Sequence, residues 1–162
     1  MKKLVIHPIP PLFNRESKVL ILGSFPSVKS REQGFFYGHP QNRFWKVLAK
    51  IKEDKIPDTI EEKKDFILKN NLALWDTLAS CEIEGSADST IKQAKANDLS
   101  VILDNSKVDK IFVNGKTAKK YYDKYIKDKL QIEAVCLPST SPANASFTVE
   151  KLVEEWKIIF EE

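Results

Sequence analysis

Short runs of consecutive apolar residues alternate along the chain with stretches in which apolar residues recur every three or four positions. The runs end in glycine or polar turn residues, as strands that are buried on both faces of a parallel sheet do. We therefore predict four strands, over residues 19–23, 72–75, 111–113 and 134–137.

Helical spacing separates these strands. Apolar residues share one helix face from Phe44 to Ile51, and Thr59 with Glu62 forms a capping-box signature for the next helix. Three further helices are predicted: one capped by Asn97 or Asp98, one over residues 117–126 and one over residues 149–160.

The alternation of strands and helices implies right-handed βαβ crossovers. The predicted fold class is α/β, a three-layer α/β/α sandwich around a central four-stranded, mostly parallel sheet, in one domain over residues 1–162. Functional sites are expected at the carboxyl ends of its strands. The proline-rich segment 7–13 is expected to run extended along the surface.

Composition narrows the function classes. No apolar run approaches the ~20 residues that cross a bilayer, and the apolar N-terminal stretch is too short for a signal peptide, so we expect a soluble, cytoplasmic protein. Cys81 and Cys136 form no C-x-x-C pair, which argues against a thiolate-held zinc or iron–sulfur site. The five glycines fit neither the dinucleotide-binding nor the P-loop motif. A net charge of +3 permits nucleic-acid binding only through a local patch.

Three segments are candidates for chemistry. G-S-F-P-S at 23–27 and L-P-S-T-S-P-A-N-A at 137–145 follow predicted strands and suit rigid loops that present N–H groups and hydroxyls to phosphates, although each alone also fits an ordinary turn. The third segment, 34–45, reads G-F-F-Y-G-H-P-Q-N-R-F-W. With Pro40 in the first helical turn, His39 is expected near the N-cap and Asn42 within the helix. Asn42 then either orients a water or reads a polar ring, or it has a structural role.

These segments resemble the uracil-DNA glycosylase superfamily, and most of all its DNA-deoxyinosine (hypoxanthine) and mismatch-specific branches. The resemblance covers nearly the whole chain, and H-P-x-N-R-F-W is its specific part. It implies a uracil-DNA glycosylase-like fold. The segment G-S-A-D-S-T-I at 85–91 and the pair Asn97-Asp98 also resemble the deoxyinosine branch, with no chemical role beyond turn and cap formation.

The resemblance also implies roles for individual residues. Phe25 stands where relatives commonly carry an Asp or Asn that positions water, so the catalytic residue implied is Asn42. The base pocket implied consists of Ser24, Phe25, Tyr37 and His39, with Tyr37 as the stacking platform. The DNA contacts implied are Ser27, Lys116, Ser139, Ser141, Ala143 and Asn144, with residues 142–144 as a wedge whose small Ala143 favours weak intercalation.

Several of these residues keep a second interpretation. His39 either donates to the leaving base or anchors the loop, and Lys116 is either a phosphate contact or an exposed lysine. Asp76, at the end of a predicted strand, either faces the site or bonds to loop backbone. Trp75, Phe112 and Trp156 are expected in the core.

The function predicted from the sequence is a monofunctional DNA glycosylase that releases hypoxanthine, or uracil, from DNA and so starts base-excision repair. We expect DNA with a deaminated base as partner, no membrane, no metal, no cofactor, and a monomer that associates with the nucleoid if the source is prokaryotic. No lysine occupies a recognisable Schiff-base position, so hydrolysis without strand cleavage is expected. The alternatives are a non-catalytic lesion-binding module on the same fold and, less well supported, a small-molecule nucleoside hydrolase.

Overall fold

The computed structural model describes residues 3–161, so the ends of the predicted domain at residues 1–2 and 162 lie outside it. Elements are numbered in chain order. The central sheet consists of β2 (Val19–Gly23), β3 (Leu72–Asp76), β6 (Lys110–Asn114) and β7 (Ala134–Leu137). These strands are parallel in the order β3-β2-β6-β7, which confirms the predicted sheet.

Helices cover both faces of this sheet. Strand β2 is therefore buried along its whole length. One face packs against α2 (Phe44–Ile51), α3 (Ile60–Lys69) and α7 (Val149–Trp156). The other packs against α4 (Ser100–Leu103), α5 (Lys116–Tyr125) and α6 (Lys127–Leu130). A short helix α1 (Val28–Gln33), which was not predicted, follows β2, and a 3₁₀ turn (Lys157–Phe160) follows α7. The three-layer α/β/α class is confirmed.

A second sheet, absent from the sequence prediction, lies beside the first. It is antiparallel in the order β1-β4-β5, with β1 (Lys3–Ile6), β4 (Leu78–Ile83) and β5 (Lys92–Ala96). Strand β5 reads K-Q-A-K-A and carries no apolar run, so hydrophobic periodicity does not reveal it. Residues 84–91 connect β4 to β5, and residues 85–90 within this connection are here called the 85–90 loop.

The N-terminal segment is extended, but its prediction as a surface segment was wrong. Ile9 is 3% exposed and joins the core cluster, while the side chain of His7 is equally buried. Leu12 forms an antiparallel bridge to Leu74 of β3. The segment therefore runs along the edge strand β3, with the Ile9 side chain in the core.

The start of helix α2 also differs from the prediction. The helix begins at Phe44 with Arg43 as its N-cap, so His39 does not cap it and Asn42 precedes it. The segment 39–42 forms a turn instead, in which the N–H of Asn42 donates to the carbonyl of His39 at 3.0 Å. The Asn42 side chain accepts the N–H of Phe44, which provides a cap from outside the helix.

The fold also tests the residues that were expected in the core. The core role of Phe112 and Trp156 is confirmed, since both are buried, and Trp75 packs partly buried against the same core. None of the helices within residues 3–161 is long and apolar enough to cross a bilayer.

Candidate active site

A pocket of about 300 Å³ opens at the carboxyl edge of the parallel sheet, where the pairs Gly23–Asp76 and Asn114–Leu137 end their strands in register. Its volume is at the lower end of small-ligand sites. All three candidate segments reach it. The predicted site residues that line it are Ser24, Phe25, Ser27, Tyr37, His39, Asn42, Ser139, Ser141 and Ala143.

The amide of Asn42 has a defined orientation in this pocket. Its Oδ1 accepts the backbone N–H of Phe44 at 2.9 Å and the hydroxyl of Thr140 at 2.8 Å. Because a backbone N–H can only donate, the oxygen and the nitrogen of the amide are distinguishable. Both lone pairs of Oδ1 are occupied, and the Nδ2 group, which has no partner among the described residues, is what Asn42 offers to the pocket.

Thr140 and Asn114, which the sequence analysis did not identify as site residues, direct this orientation. Asn114 Nδ2 donates to the Thr140 hydroxyl at 3.0 Å, and Asn114 Oδ1 accepts the Thr140 N–H at 3.1 Å. The hydroxyl proton of Thr140 is therefore directed at Asn42. Thr140 is fully buried, so the middle of this chain of hydrogen bonds is shielded from water.

A buried His7–Asp76 pair forms a second fixed polar group. His7 Nε2 lies 2.7 Å from Asp76 Oδ2, with side-chain exposures of 3% and 6%. The N–H of Ile9 donates to His7 Nδ1, which leaves the proton on Nε2 and directs it at the carboxylate. Asp76 Oδ1 has no partner among the described residues, and Asp76 lines the pocket. The expectation that Asp76 bonds to loop backbone through its side chain was wrong.

Close approach of Asp76 to β2 explains the glycine that ends this strand. A Cβ at Gly23 would lie 2.4 Å from Asp76 Oδ1, a distance that real Cβ atoms do not show. Gly23 therefore leaves room for the carboxylate at the floor of the pocket.

Tyr37 presents an aromatic ring to the same pocket. One face stacks on Phe44, with ring centroids 3.9 Å apart and an interplanar angle of 15°. Its hydroxyl has no hydrogen-bond partner among residues 3–161. Burial, and then the charge of Asp76, raise the pKa of Tyr37 far above its usual value, so the phenol is neutral.

Phe25 and His39 line separate parts of the pocket. Phe25 is 8% exposed, with the ring of His7 edge-on at 5.8 Å and the Arg31 guanidinium 5.7 Å from its centroid. His39 is half-buried, and its Nδ1 accepts the N–H of Gln41 at 3.1 Å. This bond anchors the turn and leaves the proton of a neutral ring on Nε2.

A carboxyl group to which the sequence analysis gave no chemical role also lines the pocket. Asp88 belongs to the 85–90 loop, and the Ser24 hydroxyl lies 3.0 and 3.1 Å from its two carboxyl oxygens. Burial is the main cause that raises the pKa of Asp88, with the charge of Asp76 acting in the same direction and the Ser24 hydrogen bond against it. No periodic pattern in the sequence marks this residue.

Arg43 holds the loop after β7 in place. Its guanidinium donates to the carbonyls of Thr140, Ser141, Asn144 and Phe147, and its own N–H donates to the Thr140 carbonyl. Within the loop, Ser139 and Ser141 accept N–H groups two residues ahead. The loop is therefore rigid, with Pro142 and Ala143 exposed at its tip.

The remaining predicted contacts lie apart from the pocket or have local roles. Lys116 is exposed at the start of α5, outside the pocket lining. Asn144 also lies outside the lining, and its amide donates to the Ser139 carbonyl. Ser27 caps α1 and accepts the N–H of Ser30. Their contacts with DNA stay predictions, and no three His, Cys, Asp or Glu side chains within residues 3–161 cluster as a metal site.

A three-layer α/β sandwich with an aromatic and amide-lined pocket at the carboxyl edge of its parallel sheet is the architecture of the α/β DNA glycosylases. Comparison with family models supports this class, since the model of the Uracil DNA glycosylase superfamily matches residues 10–160. The chain belongs to this superfamily, which confirms the predicted resemblance.

Individual relatives cover most of the chain. A hypoxanthine DNA glycosylase of Methanosarcina acetivorans is 33% identical over 159 residues, 97% of this chain and 99% of the relative. Another, from Methanosarcina barkeri, is 31% identical over 137 residues, 83% of this chain and 85% of the relative. The solution structure of a candidate uracil DNA glycosylase from Methanosarcina acetivorans superposes with a TM-score of 0.81 at 30% identity, covering 96% of this chain and 97% of that one.

Proposed function

We propose that the protein is a monofunctional DNA glycosylase that hydrolyses the N-glycosidic bond of hypoxanthine, and also that of uracil, in DNA. The observation that carries this proposal is the fixed orientation of Asn42. Its oxygen is occupied by Phe44 and Thr140, so the amide acts in the pocket only as a hydrogen-bond donor. The two hypoxanthine DNA glycosylases that the chain resembles support the substrate.

The polar groups of the pocket complement a deaminated base. Deamination of adenine converts an amine beside an acceptor nitrogen into a carbonyl beside an N–H. The Asn42 amide donates to a carbonyl, and the free Oδ1 of Asp76 accepts an N–H. Adenine would place its amine against the amide and its ring nitrogen lone pair against the carboxylate, leaving buried groups unpaired.

Stacking on Tyr37 offsets the work of extruding the base. Flipping a nucleotide costs a few kcal/mol, and stacking on an aromatic ring returns roughly 1–3 kcal/mol per base. Because one face of Tyr37 is supported by Phe44, the ring is held in position before DNA binds.

Bond cleavage then relies on the same donor. As the C1′–N9 bond breaks, negative charge develops on the base and reaches its carbonyl, where the Asn42 N–H groups stabilise it. No lysine within the described residues lines the pocket, which supports hydrolysis by water without a Schiff base or strand cleavage. The product is an abasic site, the starting point of base-excision repair.

A labelled duplex with one deoxyinosine tests this function directly. Incubation with the protein followed by hot alkali should cut the strand at that position, whereas protein without alkali should leave it intact. A duplex with deoxyadenosine is the substrate control, and Asn42→Ala is the protein control. Tight binding of the lesion without release of the base would favour the lesion-binding module instead.

We place the enzyme with DNA in the cytoplasm, at the nucleoid in a prokaryotic cell, as a monomer.

A further inference from the structure

Hydrolysis at C1′ requires an acceptor for a proton of the attacking water, and Asn42 is not available for this. Both lone pairs of its Oδ1 are taken by Phe44 and Thr140, and its Nδ2 group can only donate. The acceptor must be another group of the pocket lining. Among the described residues, carboxylates line the pocket at Asp76 and Asp88.

Depth in the pocket separates these two carboxylates. Asp76 is 4% exposed, ends strand β3 and is bonded to His7, so it lies at the floor. Asp88 stands on the exposed 85–90 loop at the rim. The sugar of an extruded nucleotide stays attached to the DNA backbone, so its C1′ must lie near the rim while the base occupies the floor.

The 85–90 loop holds its carboxyl group in a fixed position. Ser24 binds both carboxyl oxygens, Arg31 donates to the Gly85 carbonyl at 2.6 Å, and the N–H of Val28 donates to the Ser86 hydroxyl at 2.9 Å. These bonds connect the loop to β2 and to α1. The loop thus has a defined place in the wall of the pocket.

The charges around Asp88 suit a general base. Burial and the charge of Asp76 raise the pKa of Asp88 above its usual range, and a more basic carboxylate accepts a proton more readily. The charge of Asp88 in turn acts on two other titratable groups. Besides burial, it contributes to the raised pKa of Cys81 in β4, which is about 11, and to the raised pKa of Tyr121 in α5. The nearby positive charge is that of Arg31 in α1, whose guanidinium donates to the Gly85 carbonyl of the same loop.

We propose that Asp88 is a catalytic residue that binds the attacking water and accepts its proton. This inference rests on the proposed glycosylase function. The water oxygen forms a bond to C1′ as the C1′–N9 bond breaks and its electron pair goes to the base. The proton of the water passes to the Asp88 carboxylate and then to solvent, and the departing base takes a proton from solvent.

Single-turnover excision of hypoxanthine tests the role with Asp88→Asn. This substitution keeps the shape and one acceptor for the Ser24 hydroxyl but removes the base. We expect the rate constant to fall by about 100-fold or more, the contribution typical of general base catalysis. The loss should be equal for deoxyinosine and deoxyuridine, since water activation does not depend on the base. Affinity for a duplex with uncleavable 2′-fluoro-deoxyinosine should stay within about twofold of the wild type, because Asp88 does not read the base.

Two further readouts separate chemistry from folding. The wild-type rate should rise with pH as Asp88 ionises and then level off, and Asp88→Asn should lack this rise. Asp88→Ala should recover activity in sodium formate, which supplies a small carboxylate. Asp98→Asn is the matched control: it makes the same exchange in a carboxylate that bonds to the Ser100 N–H away from the pocket, and its rate should equal the wild type.

The outcomes distinguish this inference from the function on which it rests. No excision by the wild-type protein would overturn the glycosylase function itself. Excision by Asp88→Asn within about threefold of the wild type, which is under 1 kcal/mol, would overturn only the role of Asp88. A loss confined to one base, or matched by an equal loss of affinity, would contradict water activation and assign Asp88 to base recognition.

Discussion

The Thr140 hydroxyl donates to Asn42 Oδ1 at 2.8 Å and so joins the loop after the last strand to the turn before helix α2. The two residues are far apart in the sequence, and each comes from a segment that the sequence analysis identified separately. Their bond makes the two segments one site, because it determines which end of the Asn42 amide faces the pocket.

Removing this hydroxyl should reduce excision without removing Asn42. In Thr140→Val the shape is retained, but Oδ1 loses one of its two donors and the amide is held only by the Phe44 N–H. A hydrogen bond of this kind is worth ~1 kcal/mol, so we expect single-turnover excision to fall about fivefold. Thr140→Ser keeps the hydroxyl and should remain close to the wild type. Equal rates for the Val and Ser variants would show that Thr140 does not orient the amide.

Substitutions of His7 and Asp76 should have non-additive effects on the free energy of unfolding. His7→Phe leaves the buried carboxylate without its donor and should lower the free energy of unfolding by roughly 1–3 kcal/mol. Adding Asp76→Asn in the same chain removes the unpaired charge and should restore part of the loss. Urea unfolding of the two single variants and the double variant measures this coupling. Strictly additive losses would contradict a direct interaction.

The ring and the hydroxyl of Tyr37 should have separate effects, the ring on DNA binding and the hydroxyl on stability. Its hydroxyl is buried without a partner, so Tyr37→Phe should fold at least as stably as the wild type. Tyr37→Leu removes the aromatic surface and should weaken binding of a deoxyinosine duplex by about tenfold, given stacking of ~1–3 kcal/mol. Fluorescence anisotropy with the deoxyinosine duplex gives the affinities of the wild type and of Tyr37→Leu. Unchanged affinity in Tyr37→Leu would exclude Tyr37 as the stacking platform.

Arg43 should control the rigidity of the loop after β7. Its planar guanidinium reaches four carbonyls of this loop, which the single ammonium group of lysine cannot do. In Arg43→Lys we expect faster amide hydrogen exchange over residues 139–147 and about tenfold weaker DNA binding, since a mobile loop pays more entropy on binding. Helix α3, which Arg43 does not contact, serves as the internal control. Unchanged exchange in the loop would contradict this role.

The parallel sheet was predictable because its strands are apolar runs that end in turn residues, and Val19–Gly23 is the clearest case. Strand β5 was not predictable, because the residues K-Q-A-K-A give no apolar run and its pairing with β4 arises from tertiary contacts. The start of helix α2 was misplaced because Pro40 suits a helical first turn as well as the turn that the Asn42 side chain completes.

The candidate site was predictable where a motif marks it and not elsewhere. Asn42, Tyr37 and the two serine-rich loops came from short contiguous segments. His7 comes from the extended N-terminal segment and Asp88 from the loop between β4 and β5 of the second sheet, whereas Asp76 ends β3 of the central sheet and was already a candidate in the sequence. Pairs that are 69 and 64 positions apart in the chain leave no local pattern in a single sequence.

The most direct test of the account is the single-turnover rate of hypoxanthine excision by Asn42→Asp. This variant keeps acceptors for the Phe44 N–H and the Thr140 hydroxyl but replaces the donor group that faces the pocket. If Asn42 acts as a donor to the base carbonyl, the rate should fall by about 100-fold or more, as for the loss of an oxyanion donor. A rate equal to or above that of the wild type would contradict the account, because it would show that Asn42 serves as an acceptor.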